Sequence, residues 1–344
     1  MMQIVADVVT QVVASLNADG LVIDSLLYGK ITERYRGRII HSYEILNEIA
    51  NNIIIGKAKL CRENVSGKII GFYKGVSIAR ITRESNTFNL VVKDAKSPCL
   101  GDDFTNHFLS IFAEIYPRRP IIVFDALFWE LHHEYEKKKA LKQLLVSINI
   151  VRQYLTDLNV LLVFPSHEIM ALLNSFKNSI KVLHKFPYDL LKNHRVIVLD
   201  PYASDRLTEN DVMNGDVFLV ELLVDDMFPR PFATYGANMV RGLNAERKSI
   251  TYRGSVIGVP KEINKVIEIV LDVRFAGKTM DEAIKDAMGV DDKIYRVVYE
   301  VSKMCRGNEA LEDMIKRLMK ELQLDERYYK RVLARVDRAS CRGI

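Results

Sequence analysis

The sequence predicts an α/β protein: a mostly parallel sheet in the middle of the chain, an α+β domain before it and a small helical domain after it. Three observations carry this expectation. The apolar runs IIVF at 121–124, NVLLVF at 159–164, VIVL at 196–199 and VFLVELLV at 217–224 each stop at polar or Pro residues and alternate with helical patterns. That is how parallel strands covered on both faces read. Before residue 117, turn dipeptides part several short alternating runs, whereas beyond Gly277 the apolar spacing is helical throughout. The domains are therefore expected at 1–116, 117–277 and 278–344, with the stiff PRRP at 117–120 as the first boundary.

Taken in order, residues 4–16 carry apolar side chains at helical spacing, and RYRGR at 34–38 is a knot of positive charge around an aromatic ring. The runs 53–60, 69–73, 76–81 and 88–92, parted by Ser66-Gly67, Lys74-Gly75 and Ser85-Asn86, read as strands of a small antiparallel sheet. Lys57, Lys59, Lys68, Lys74, Arg80 and Arg83 decorate it. They form either a face that rides on phosphates or ordinary solubility charge. The next strand has Asp125 near its end, a helix with Leu141, Leu144, Ile148 and Val151 on one face follows over 131–155, and a further helix is expected over 167–176. SITYRGSVIGV at 249–259 reads as the third strand of the central stretch and runs into Pro260, a residue the first turn of a helix accepts. Ile263, Val266, Ile267, Val270 and Val273 give that helix its buried stripe up to Gly277. Thr279 to Glu282 fits a capping box, and helices are expected at 280–288, 291–305, 309–323 and 326–338, parted by Gly289, Gly307-Asn308 and Asp325. Arg327, Lys330, Arg331, Arg335 and Arg338 give the last of them a second basic surface.

Composition narrows the classes. With 344 residues the chain can bury more than one core, and a net charge of +5 suits a nucleic-acid binder as well as an ordinary enzyme. No eighteen-residue apolar span occurs, and residues 1–13 contain Asp7 without a basic start, so a cytoplasmic protein is expected. Cys61, Cys99, Cys305 and Cys341 stand far apart with no CxxC pair, which signals neither a zinc clip nor a disulfide framework. His132-His133-Glu134 lacks metal-site spacing and reads as a solvated helix face; no metal is expected.

The glycine-rich dinucleotide loop, the Walker A loop and the G-x-S-x-G elbow are all missing. What remains is a set of carboxylates where strands end, Asp125, Asp200, Asp225 and Asp226, and a turn-rich stretch with Gly254-Ser255 and Gly258-Val259-Pro260. In open parallel sheets ligands lie beyond the carboxyl ends of the strands. A methyl transfer from a sulfonium donor suits such residues, because an in-line displacement asks for position, a dry site and one carboxylate to take or steer a proton. Strand-end Asp residues that only cap loops are the plain alternative.

These residues carry a resemblance. The stretch 217–226, followed by 241–271 with its core RGSVIGVPKEINKVIEI at 253–269, is similar to the SPOUT-class tRNA methyltransferases that modify N1 of the purine at position 9, in their archaeal form. The likeness covers roughly residues 120–277. It implies a SPOUT fold with a C-terminal deep trefoil knot, S-adenosylmethionine as cofactor, tRNA as partner and a monomer whose extra domains stand in for a second subunit. Carried over, it makes Asp225 the general base, with Asp226 the choice at a one-residue shift, and puts Asp125 at the target base. The cofactor falls to Leu199, Asp200, Glu221, Arg253, Ser255, Val256, Ile257, Gly258 and Val259. Two departures stand out: Glu221 and Leu222 replace glycines, and Gly258 replaces a threonine. The resemblance implies methylation of adenine ahead of guanine, with guanine or dual specificity, or a non-catalytic RNA-binding protein on the same scaffold, as alternatives.

Overall fold

The computed structural model describes residues 3–83, 86–227, 229–243, 245–304 and 310–339. It divides into two compact units, Met1–His194 with Asp216–Val224, and Arg195–Gly215 with Asp225–Ile344. The expected punctuation at Gly307-Asn308 and the cysteines Cys305 and Cys341 lie outside the described residues.

The first unit opens with α1 (Ile4–Ser15), β1 (Gly20–Ile23), α2 (Ser25–Arg34) and α3 (Ser42–Ile54). A sheet follows, of β2 (Ala58–Tyr73), β3 (Val76–Ile81), β4 (Asn86–Asp94) and the short β5 (Asp102–Asp103), and then α4 (Thr105–Ile115). The sheet is mixed rather than antiparallel, because β1 enters between β3 and β4 and runs parallel to both. Two expected strand boundaries move. Ile53 and Ile54 close α3, whose buried stripe Ile45, Leu46, Ile49, Ala50 and Ile53 has helical spacing, and Ser66-Gly67 lies inside one long strand instead of turning it. Gly67 pairs with Ile81 on β3 and Asn86 on β4, and a Cβ there would meet the Arg80 carbonyl at 3.0 Å. The missing side chain lets β2 bend from one partner to the other. Helices α1, α3 and α4 bury Val9, Val12, Ile49 and Phe112 against Leu60, Ile78, Leu90 and Val92 of this sheet.

A disulfide joins Cys61 on β2 to Cys99 in the loop after β4, although the cysteine spacing signals no disulfide framework. Their separation of 38 residues hid the pairing, while the fold brings their Cα atoms to 5.6 Å, inside the bonding range.

The same unit continues with β6 (Ile121–Asp125), α5 (Glu134–Tyr154), β7 (Val160–Val163), α6 (His167–Asn174), β8 (Lys181–Leu183) and α7 (Tyr188–Leu191). With β10 (Val217–Glu221) these strands form the parallel order β10-β6-β7-β8. All residues of β7 and β10 are buried, as expected for strands covered on both faces. Asn51 of α3 donates to the carbonyls of Arg152 and Leu155 at the end of α5, tying helix to helix.

The second unit holds β9 (Val196–Leu199), α8 (Glu209–Asn214), α9 (Ala233–Arg241) and β11 (Glu246–Lys248), with β11 parallel to β9. The strand expected over 249–259 is thus displaced to 246–248, and the expected residues form a loop. Arg253, Gly254 and Gly258 have φ of +46°, +79° and +75°, which no extended strand accommodates. After Pro260, α10 (Ile263–Leu271) starts with Glu262 as its cap and runs into a π turn over Asp272–Ala276 that closes on Gly277. Arg274 donates to the carbonyls of Val212 and Gly215 at 2.6 and 2.8 Å, satisfying the end of α8. Four more helices follow: α11 (Met280–Ala287), entered through the Thr279/Glu282 capping box, α12 (Val290–Met304), α13 (Leu311–Glu321) and α14 (Tyr329–Ala339). Helices α12, α13 and α14 pack together and bury Ile294, Val297, Ile315, Leu318 and Val332.

Candidate active site

In the first unit the chemistry gathers where the parallel strands end. Asp125 and Glu221 are register partners on β6 and β10, and are 1 % and 5 % exposed. Matched residues of parallel neighbours leave a sheet on the same face, so the two carboxylates stand side by side. Asp125 accepts from its own turn at Leu127 N, 2.9 Å away, and its carbonyl accepts from Leu222 N at 2.7 Å. Those bonds lead the chain off the strand toward Asp225.

His132 belongs to this region and is not the solvated residue its sequence neighbours suggested. It is buried, its ring meets the edge of Trp129 at 5.2 Å, and Nδ1 lies 3.0 Å from the Trp129 carbonyl. Nε2 accepts the Val224 N–H at 2.9 Å. Those two contacts assign the proton to Nδ1 and the lone pair to Nε2. The imidazole therefore holds the residue immediately before Asp225. His133 and Glu136 form the capping box of α5. Among the described residues no group of three or more His, Cys, Asp or Glu side chains is placed to hold a metal ion, and no helix is long and apolar enough to cross a membrane.

In the second unit Asp225 is half-buried and its Oδ2 accepts from Arg230 N at 3.2 Å, whereas Asp226 is exposed. Leu199 is buried at the end of β9. Asp200, next in the chain, is fully enclosed: Arg247 reaches its Oδ2 from Nε at 2.9 Å and from Nη2 at 2.5 Å, while Oδ1 accepts Tyr202 N at 2.9 Å. The side chain thus shapes the turn over 200–203. Arg247 lies in turn 4.4 Å over the ring of Tyr235, and Tyr202 packs against Phe232 at 5.3 Å.

The loop over 252–259 is built from two turns. Tyr252 and Ser255 exchange backbone hydrogen bonds around Arg253-Gly254, both at positive φ, which is the type I′ pattern. Ser255 Oγ then accepts Ile257 N at 3.2 Å, and Val259 N bonds the Val256 carbonyl at 3.2 Å. Val256 and Ile257 remain 45 % and 42 % exposed, while Val259 is buried. Arg253 pairs with Glu321 of α13, and Gly258 lies against α12. There Arg296 is fully enclosed, paired with Glu300, and donates to the Ile257 carbonyl at 3.1 Å.

Sequence reasoning missed His132, Arg247 and Arg296. Arg296 and Glu300 did leave a signal: they sit four apart beside the apolar stripe Ile294, Val297 and Val301. His132 and Arg247 left none, since their partners are 92 and 47 residues away.

No protein-family model matches the chain. Over 197 residues it is 30 % identical to a tRNA (adenine(9)-N1)-methyltransferase of Sulfolobus acidocaldarius, covering 57 % of this chain and 64 % of that protein. Over 177 residues it is 28 % identical to a tRNA (guanine(9)-/adenine(9)-N1)-methyltransferase of Thermococcus kodakarensis, covering 50 % and 48 %. The matched segments thus span less than two thirds of either relative. The crystal structure of Sulfolobus acidocaldarius Trm10 in complex with S-adenosylhomocysteine superposes with a TM-score of 0.69 at 20 % identity, covering 96 % of this chain and 98 % of that one. That likeness, with the parallel sheet described above, makes the fold an α/β fold of SPOUT type. Over these segments the chain is similar in sequence to archaeal proteins named as tRNA purine-9 N1-methyltransferases.

Proposed function

We propose that the protein transfers a methyl group from S-adenosylmethionine to N1 of the purine at position 9 of tRNA, on adenine ahead of guanine. The observation that supports this most is the placement of Asp225: half-buried, with one oxygen fixed by Arg230 N–H, next to a residue pinned by His132. A carboxylate so held can take the proton that guanine N1 must lose as the new N–C bond forms. Adenine N1 offers a lone pair, and there the same carboxylate orients the base and balances the cationic product. Asp125 is assigned to the target base.

The cofactor is assigned to Arg253, Ser255, Val256, Ile257, Gly258 and Val259 of the loop, with Leu199, Asp200 and Glu221 at strand ends. The loop residues fit such a group: backbone turns offer amide and carbonyl partners, and the open Val256 and Ile257 side chains offer an apolar surface to a flat adenine. When bound, it supplies an electrophilic methyl group, and the bond to sulfur breaks as the bond to N1 forms. Asp200 contributes by fixing its turn, since Arg247 already occupies its carboxylate.

The same reading includes the deep trefoil knot, a cytoplasmic monomer, and the division into 1–116 and 278–344 as RNA-gripping domains around a catalytic 117–277. The match to a relative named for both purines favours dual specificity as the second reading. A non-catalytic RNA-binding protein is the third, motivated by Glu221, Leu222 and Gly258 at the departures from the family pattern. Incubating unmodified tRNA transcripts carrying A or G at position 9 with methyl-labelled cofactor, and mapping the product by primer extension, tests the proposal. A stop at position 9 is expected, stronger with A; folded protein and no methylation on either transcript would overturn it.

A further inference from the structure

The C-terminal helices touch the loop over 252–259 at several points, most of them through one side chain. Arg296 of α12 is fully buried, with its guanidinium carbon 4.7 Å from the Tyr252 ring centre and 5.3 Å from that of Tyr299. Glu300, one helical turn on, neutralises it. From this slot Nη1 donates to the Ile257 carbonyl at 3.1 Å. The Gly258 backbone approaches so closely that a Cβ would stand 2.7 Å from Arg296 Cβ. Glu321 of α13 takes Arg253. Ile257 and Gly258 are therefore seated on α12 by two separate contacts.

A buried Arg–Glu pair is a poor device for stability, since apolar residues of similar volume often serve as well or better. What it supplies is a rigid, planar donor whose direction is fixed by stacking on two rings. A donor so fixed sets the peptide plane of the residue it holds, and with it the direction of the neighbouring amide and carbonyl groups. In a ligand loop built from backbone turns, those groups are the recognition surface.

We propose that Arg296 is a positioning residue for S-adenosylmethionine, holding the Ile257 carbonyl so that the loop is preformed before the cofactor arrives. The inference rests on the assignment of this loop to the cofactor. It makes the helical segment after residue 278 part of the cofactor site and not only a support for RNA. Arg296 acts through Ile257 and touches no reacting atom.

The test uses the full chain and three proteins: wild type, Arg296→Lys, which keeps the charge but loses the planar fork, and Val297→Ala, which opens a cavity beside it on the same helix. Three quantities are read: S-adenosylhomocysteine affinity by calorimetry, hydrogen exchange of residues 252–258 without ligand, and the melting temperature. Arg296→Lys is expected to speed exchange in the loop and to weaken S-adenosylhomocysteine by about tenfold or more, roughly the loss of one hydrogen bond to a charged group. The Michaelis constant for cofactor should rise with it, while kcat at saturation and tRNA affinity stay within about threefold. Val297→Ala should lower the melting temperature with cofactor affinity unchanged. Equal weakening by both variants would make Arg296 a mere brace and overturn the proposal, as would unchanged loop exchange in Arg296→Lys. Faster exchange with full cofactor affinity would overturn it too, and would remove the loop from the cofactor site. Absence of binding by the wild type would instead sink the assignment of the cofactor itself.

Discussion

Gly258→Ala puts the architecture of the loop to a quantitative test. Two costs add. At φ +75° a non-glycine residue pays the left-handed penalty of about 1–2 kcal/mol. The new Cβ would also stand 2.7 Å from Arg296 Cβ and 2.8 Å from the Asp292 carbonyl oxygen, atoms fixed in α12 that cannot swing aside. Forcing one carbon into a packed contact of this kind costs about 1–3 kcal/mol. The sum is about 2–5 kcal/mol, and at about 3 kcal/mol the melting temperature should fall by roughly 6–12 °C for a unit of this size.

Two other glycines serve as internal standards. Gly254 has φ +79° but its Cβ would meet only the flexible end of Arg206 at 3.4 Å, so Gly254→Ala should show the backbone cost alone, about 1–2 kcal/mol. Gly236 lies in α9 with nothing within 4 Å, and Gly236→Ala should stabilise by about 0.5–1 kcal/mol. Scanning calorimetry of the three variants gives the order directly. If Gly258→Ala melts no lower than Gly254→Ala, the close approach of the loop to α12 is wrong, and the reasoning built on it goes too.

Asp225→Asn is expected to leave tRNA affinity unaltered and to slow single-turnover methylation, more on guanine than on adenine; parallel loss of affinity and rate would show a structural role. His132→Phe strands the buried Val224 N–H without its acceptor and should cost about 1–3 kcal/mol in urea denaturation. An unchanged midpoint would deny that bond any weight. Replacing Cys61 and Cys99 together by serine releases a loop of 38 residues and should cost about 4 kcal/mol, read as a lower urea midpoint that reductant no longer shifts. Equal midpoints for wild type with and without reductant would mean that the bridge is not formed in solution.

Local pattern was enough for much of the fold. The buried strands β6, β7, β9 and β10, the helix pattern up to Gly277 and the Thr279 capping box lie close to their expected places, because apolar runs, caps and breakers act over a few residues. Failures came where a partner far along the chain decides. Gly67 looks like a turn until two strands are known to compete for β2. Nothing near His132 announces Val224, and nothing near Cys61 announces Cys99. Of the candidate site, sequence order could place Asp125 and Glu221 at strand ends, but only the register sets them side by side.

The departures from the family pattern change meaning in this light. A glycine where the resemblance implies a threonine suggests a lost hydroxyl and so favours a protein that no longer binds cofactor. Yet the position has φ +75° and lies against α12, where any Cβ would collide with helix backbone and with Arg296. Glycine is what this geometry demands, so its presence says nothing against binding. The constraint that a side chain within the loop could have supplied is met from outside, by Arg296 on Ile257 and Glu321 on Arg253. A loop braced at Arg253, Ile257 and Gly258 while Val256 and Ile257 side chains stay open is organised to present a surface. An abandoned loop would have no reason to keep a buried Arg–Glu pair in its service, because such a pair is easily replaced by apolar residues once its donor is no longer needed. The non-catalytic reading therefore loses the support it drew from Gly258.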